Sequence, residues 1–211
     1  MSETAADERI TVFSDYVCPF CYLGRKSLSE YQDDREEELE IDWHPFDLRA
    51  RKRGPDGEID DDVDDGKGED YYAEARANVQ RLQEEYGVDM SQEIATDVDS
   101  LDAQVASHYV KENYDYDQWL AFDVAIFEAL WQEGRDIGDP DVLADLAEDA
   151  GLDSEEVRDA IDDESVRAAV EERFEEAHER GVTGVPTFAY GGYGARGAVP
   201  PEQIERLVEG N

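Results

Sequence analysis

The chain has 211 residues, enough to bury a core as one domain or as a small domain carrying an insertion. Its 57 Asp plus Glu against 19 Lys plus Arg give a net charge of −38, which disfavours nucleic-acid binding because phosphate contacts need a basic face. Apolar residues make up 40% of the chain and recur at helical spacing, unlike a disordered acidic chain, and no apolar run approaches the ~18 residues of a membrane span.

The first eight residues are polar and acidic, with neither a basic start nor an apolar stretch. They carry no secretory signature, so a cytoplasmic location is expected. Arg9 to Ser14 (RITVFS) reads as a strand of β-branched and aromatic residues. Cys18 follows a short turn, and a helix is predicted over 19–31, with Pro19 at its first position where a missing N–H is harmless. Residues 39–48 (LEIDWHPFDL) read as a second strand, whose Pro45 marks an edge or an early stop.

Residues 49–68 read as a loop in which the basic cluster Arg49, Arg51, Lys52 and Arg53 precedes the acidic run 60–65. The run does not fit a calcium loop. Counting from Asp60, Asp65 stands where glycine is needed and Tyr71 where glutamate is needed. The basic cluster is expected to pair with nearby acids rather than attract an anionic substrate.

Residues 69–162 are helical in pattern. Tyr72, Ala75, Val79, Leu82 and Tyr86 share a face, ended by Gly87. Further helices are read through Leu101, Val105, His108 and Tyr109, and through Trp119, Leu120, Phe127, Leu130 and Trp131. Asp139-Pro140 opens a fourth and Asp153-x-x-Glu156 caps a fifth. A last long helix carries Val166, Val170, Phe174 and Ala177 and stops near Gly181. Residues 187–190 and 193–195 form a hairpin about Gly191-Gly192, and Pro200 or Pro201 starts a terminal helix.

The order β, α, β, helical block, α, β, β, α predicts an α/β fold whose sheet domain is discontinuous. Its boundaries are placed at 1–62 and 163–211, with 63–162 as an inserted helical domain.

The chain has two cysteines, Cys18 and Cys21, in Cys-Pro-Phe-Cys. Too few for a disulfide scaffold, the pair points to redox chemistry or a metal. Zinc usually takes four ligands, and only the scattered His44, His108 and His178 could complete a set, so no metal is expected. At the start of a helix, unpaired N–H groups and the dipole favour a negative sulfur at Cys18. Cys21 lies one turn on, on the same side. Cys18 is expected to attack a substrate disulfide and Cys21 to resolve the mixed disulfide. Pro19 and Phe20, between them, tune the thiolate and the substrate surface. Arg25 and Lys26 read as solvated helix cations. Asp15 has two readings, a turn residue or, if buried, a proton acceptor for Cys21.

Three further stretches bear on family. FSDYVCPFCYLG at 13–24 resembles the active-site segment of the DsbA-like thioredoxin-fold family in its FrnE-like branch. GVTGVPTF at 181–188 resembles that family's cis-proline segment, and Trp43 to Leu48 and Glu133 to Gly138 resemble patterns of the branch. The resemblance covers nearly the whole chain and implies a thioredoxin-like fold with an inserted helical domain. It further implies a thiol-disulfide oxidoreductase with Cys18 as nucleophile and Cys21 as resolving thiol. Residues alone leave the Val185-Pro186 bond open between cis and trans; the resemblance implies cis, beside Cys18, with the Val185 backbone free to pair with an extended substrate. The implied partners are a disulfide- or thiol-containing protein or a small thiol, and a recycling redox partner. No cofactor is implied, and the oligomeric state is left open. The chain departs from the branch at Ala103-Gln104-Val105, where an Ala-His-Arg-like motif is usual.

Two rival functions stand beside this one. Thiol-dependent isomerases of the same superfamily act on small organic substrates but dispense with the second cysteine, so Cys21 favours redox work. A non-catalytic binding or chaperone-like module would keep full function without Cys18. Glycines 192, 194 and 197 spell G-x-G-x-x-G, but a dinucleotide site needs that motif between a strand and a helix, and a flexible hairpin is the better reading.

The acids are spread along every helix, which points to a protein built for molar salt, as in halophilic archaea. In about 1 M salt the Debye length is roughly 3 Å, and self-repulsion is largely screened. The thermal midpoint is therefore expected to fall when KCl is withdrawn; an unchanged midpoint in dilute buffer would overturn the halophilic reading.

Overall fold

The computed structural model describes residues 8–54, 57–60, 62–64 and 66–210. The acidic start at 1–7, and Asp61 and Asp65 of the acidic run, lie outside the described residues. Strand β1 (Arg9–Ser14) leads through a turn into helix α1 (Pro19–Asp33), and β2 (Glu40–Pro45) follows. Pro45 offers no N–H to the ladder, and the second strand stops there rather than at 48. A short 3₁₀ turn (Ala50–Lys52) then precedes α2 (Glu69–Tyr86), α3 (Leu101–Asn113), α4 (Tyr116–Trp131), α5 (Pro140–Asp149) and α6 (Ser154–Asp162). Helix α7 (Glu164–Glu179), strands β3 (Thr187–Tyr190) and β4 (Tyr193–Arg196), and α8 (Pro201–Glu209) complete the chain.

The cap residues explain where the helices begin. Asp139 accepts from the Asp141 N–H, Asp153 from Glu155 and Glu156, and Asp163 from Ser165. Each satisfies a donor that the first helical turn leaves unpaired. Gly87 ends α2 in the left-handed region at φ +62°. Gly191 and Gly192, at φ +57° and +86°, make the tight β3–β4 turn, so the glycine-rich stretch is a hairpin strand.

The sheet has the order β2-β1-β3-β4. β1 runs parallel to β2 and antiparallel to β3, and β3 pairs antiparallel with β4. Side chains alternate across it. Ile10 and Val12 join Trp43, Leu28, Phe188 and Ile204 in the main core, while Phe13, Phe46, Ala177 and Val182 form a second cluster beneath α7. The main core also takes in Trp119, Phe122, Phe127 and Trp131 of α4, so the helices between β2 and α7 share it with the sheet. The fold is the α/β, thioredoxin-like one expected. No helix among the described residues is long and apolar enough to cross a membrane.

Gly24 sets the approach of α1 to the β3 side. A Cβ there would lie 3.1 Å from Phe188 Cζ and 3.2 Å from Pro186 Cγ. Alanine gains about 1 kcal/mol of helix propensity, which offsets the crowding. Valine adds two methyls with nowhere to go. Urea unfolding in high salt should place Gly24→Ala within about 1 kcal/mol of the parent and Gly24→Val about 1–3 kcal/mol below it.

Candidate active site

Cys18 is the N-cap of α1 and Cys21 lies in its first turn. The Cys18 N–H donates to Asp15 O at 3.1 Å, and the Cys21 and Tyr22 N–H groups turn back onto Cys18 O at 3.0 and 3.3 Å. Both cysteines are free thiols, 3% and 0% exposed. The Cys18 thiol donates to the Val185 carbonyl at 3.7 Å, and the Val185-Pro186 peptide is cis. The loop before β3 therefore faces the start of α1, bringing together residues 167 apart in sequence. Burial pushes the Cys21 thiol well above its ordinary value, and its hydrogen bond with Cys18 adds to this. Pro19 is buried, whereas Phe20 and Val185 remain partly exposed beside it. Phe20 packs with Leu23 of α1 and with Val79 and Leu82 of α2.

Asp15 is fully buried. Its Oδ1 accepts from the Ser100 hydroxyl at 2.5 Å and the Val17 N–H at 3.2 Å, and its Oδ2 accepts from the Leu48 N–H at 2.8 Å. Desolvation raises its carboxyl to about 6, with the nearby Asp47 charge adding to the rise and the Ser100 bond opposing it. Asp15 also interacts electrostatically with Cys21. Asp15 is thus buried, the condition set for the proton-acceptor reading, and it also holds the turn through the Val17 and Cys18 N–H groups. Ser100 in turn accepts from Gln104 Nε2 at 3.2 Å, and Gln104 Oε1 has no partner among the described residues. The departure at Ala103-Gln104-Val105 thus lies in the layer behind Asp15. Ser100 carried no signal in the sequence, since nothing ties it locally to a residue 85 positions away.

Arg25 departs from expectation. It is 8% exposed, and its Nη2 lies 2.5 Å from Asp123 Oδ2 of α4. It is a buried ion pair, not a solvated helix cation, because α4 packs over this face of α1. Lys26 does stay half-exposed, in a surface pair with Glu128 at 2.7 Å. Asp123 was missed, although a lone carboxylate inside the apolar stretch Leu120 to Phe127 was the signal available.

The basic cluster divides. Arg53 is held between Asp47 (Nε–Oδ2 2.9 Å) and Asp99 (Nη1–Oδ2 2.8 Å), and Arg49 donates to the Ala95 carbonyl. The pairing expected of the cluster is therefore observed for Arg53. His44 is 2% exposed, with its ring 4.6 Å from that of Phe13 and its Nε2 3.5 Å from Glu176 Oε2. Burial lowers its pKa. His178 Nδ1 bonds to Phe174 O at 2.7 Å. These histidines serve α7 and β2, not the cysteines.

Comparison with known proteins fits this geometry. Residues 9–209 match the DSBA-like thioredoxin domain family. The chain belongs to this family. The uncharacterized protein YwbO of Bacillus subtilis (strain 168) is 29% identical over 201 residues, covering 94% of each chain. A structure named as a probable DsbA oxidoreductase from Streptomyces coelicolor superposes with a TM-score of 0.74 at 24% identity, covering 96% of this chain and 90% of that one. A 2-hydroxychromene-2-carboxylate isomerase also gives 0.74, at 22% identity, covering 94% and 92%. The cytosolic disulfide reductase DsbM of Pseudomonas aeruginosa, solved with GSH, gives 0.62 at 20% identity, covering 94% and 92%. At these identities the structures establish the fold, which proteins named as oxidoreductases and as an isomerase share.

In this DsbA-like chain the raised Asp15 carboxyl makes stability depend on pH. The folded state holds the proton more tightly than the unfolded one. The contribution is full below pH 4 and is lost as pH rises through about 6. The shift corresponds to about 3 kcal/mol. Urea unfolding in high salt should show the difference between parent and Asp15→Asn narrowing in the parent's disfavour by roughly that amount between pH 4 and 7. A pH-independent difference would mean that Asp15 titrates normally.

Proposed function

We propose that this chain is a cytoplasmic thiol-disulfide oxidoreductase that works through Cys18 and Cys21. The observation that carries the reading is the pair itself: two free thiols one helical turn apart at the start of α1, with Val185 O 3.7 Å from the outer one. Cys18 occupies the N-cap position of α1. The Cys18 thiolate attacks one sulfur of a substrate disulfide, that S–S bond breaks, and the first substrate thiolate leaves. Cys21 then gives up its proton, and its sulfur attacks Cys18 of the mixed disulfide. The second substrate thiolate leaves, and the protein holds the Cys18–Cys21 disulfide. The substrate disulfide is reduced by two electrons and the dithiol is oxidised by two. Run backwards, the same steps donate a disulfide. A recycling thiol or disulfide partner returns the pair to its starting state.

The second step needs a proton acceptor, because burial holds the Cys21 proton tightly. Asp15 fits that role. Three donors occupy its oxygens, and a carboxylate offers about four lone-pair sites, so one remains for a proton from the Cys21 side. Pro19, Phe20, Val185 and Pro186 form the substrate side. The partly exposed Phe20 and Val185 supply apolar contact, and the Val185 backbone pairs with an extended disulfide- or thiol-bearing protein or a small thiol.

The same reading places the chain in the FrnE-like branch, on residues 13–24, 43–48, 133–138 and 181–188. It divides the chain at 1–62 with 163–211, and 63–162, and assigns it to a halophilic cell on its charge of −38. The cytoplasmic location draws support from the cytosolic disulfide reductase with the same fold. A second reading, thiol-dependent isomerisation of a small organic substrate, draws support from the isomerase with the same fold. The second cysteine weighs against it.

Alkylation trapping across graded thiol-disulfide buffers, in about 2 M KCl to screen the charge, is the test. A reversible two-electron transition is expected in the parent, with none in Cys18→Ser or Cys21→Ser. Cys21→Ser should accumulate the mixed disulfide. Asp15→Asn should keep first attack and slow release of the second thiol by about a hundredfold or more, the usual contribution of a positioned base. Failure of the parent to form the disulfide would overturn the redox reading and favour isomerisation. Full activity in Cys18→Ser would favour a binding module.

A further inference from the structure

The turn that ends in Cys18 is held from behind by α3 and α4. Tyr16, two residues before Cys18, is fully buried. Its hydroxyl lies 2.7 Å from Ser107 Oγ of α3 and 2.9 Å from Asp123 Oδ1 of α4. Its carbonyl accepts from Trp131 Nε1 at 2.8 Å, and Ser107 Oγ also accepts from Trp119 Nε1 at 3.1 Å. The other oxygen of Asp123 holds Arg25 of α1, one turn beyond Cys21. A single carboxylate therefore ties both ends of the segment 16–25, which carries the two sulfurs. Ser107 and Asp123 are 0% exposed, and Arg25 is 8% exposed.

A buried ion pair is weak evidence for stability, because desolvating both charges offsets most of their attraction. Its consequence here is geometric. Loss of the Tyr16 hydroxyl or of Ser107 weakens the hold on the Tyr16 end, and loss of the Asp123 carboxylate breaks the link between the two ends. The strength of a disulfide between two nearby cysteines depends on how well the chain pre-organises them, which acts as an effective concentration.

We propose that Asp123 and Ser107 are positioning residues for the Cys18–Cys21 pair. They act through Tyr16 and Arg25, so that α3 and α4 set the redox equilibrium of sulfurs carried on α1. The proposal rests on the redox reading of the two cysteines. Loosening the anchor lowers the effective concentration of Cys21 at Cys18 and makes the disulfide easier to reduce.

The test is the midpoint of the Cys18–Cys21 transition in about 2 M KCl, with circular dichroism and thermal unfolding on the same samples. Tyr16→Phe removes one oxygen, and Ser107→Ala and Asp123→Asn remove its partners in turn. Tyr16→Phe is expected to keep the helical signal and to move the equilibrium about tenfold towards the dithiol, or about 30 mV. Tyr16→Phe combined with Asp123→Asn should shift it less than the sum of the two, since both cut the same connection. A parent midpoint in folded Tyr16→Phe and Ser107→Ala, with only the unfolding temperature lowered, would overturn the proposal and leave a purely structural role. Should Asp123→Asn fail to fold, those two variants still decide. A parent that forms no disulfide would instead overturn the redox reading, and this proposal with it, before any variant is compared.

Discussion

A carboxylate taken out of water must be given donors, and two such groups flank the cysteines. Asp15 lies three residues before Cys18 and Asp123 lies across from Tyr16 and Arg25. An unpaired buried charge is far more costly than a paired one. Their donors therefore have to come to them, and those donors sit on different elements: Ser100 just before α3, Leu48 after β2, Arg25 in α1 and Tyr16 in the β1–α1 turn. Satisfying the two carboxylates fixes the helical block against the sheet. The tryptophans add to the same junction, since Trp43 Nε1 donates to Ser14 Oγ at 3.0 Å and Trp131 Nε1 to Tyr16 O at 2.8 Å.

This arrangement divides the acids into two populations. Among the described residues most acids keep contact with solvent, where they cap helices, pair with the few bases and hold charge in water. Asp15, Asp47 and Asp123 are buried instead, and each has a specified set of partners. Surface acids are individually weak contributors to stability and are screened by salt. Buried ones are screened far less, so the polar architecture around the cysteines persists across conditions that change the surface.

The site joins a local part and a distant part. The turn, the N-cap and the two thiols one helical turn apart are local. They follow from β1 ending at Ser14 and Pro19 starting α1. The cis Val185-Pro186 segment reaches Cys18 only because β3 pairs with β1, so that Phe13 and Val12 stand beside Thr187 and Phe188. Gly24 permits the close approach on the same side. Resemblance of the motifs had placed that segment beside Cys18, whereas spacing alone could not, because the two are separated by the whole helical block.

The amino-acid sequence by itself determined the element order, the caps at Asp139 and Asp153, the hairpin at Gly191-Gly192, the glycine-rich decoy and the cysteine pair. Each rests on contacts within a few residues, where periodicity and turn chemistry act directly. The tertiary structure alone decided that Asp15 is buried, that Arg25 is an ion-pair partner and that Ser100, Ser107 and Asp123 belong to the cysteine neighbourhood. Their partners lie 85 to 107 residues away, and nothing in a helical period specifies which polar residue meets which across a core. A lone polar residue in an apolar stretch says only that a partner must exist, and only the packing of α3 and α4 on the β1–α1 turn says which one it is.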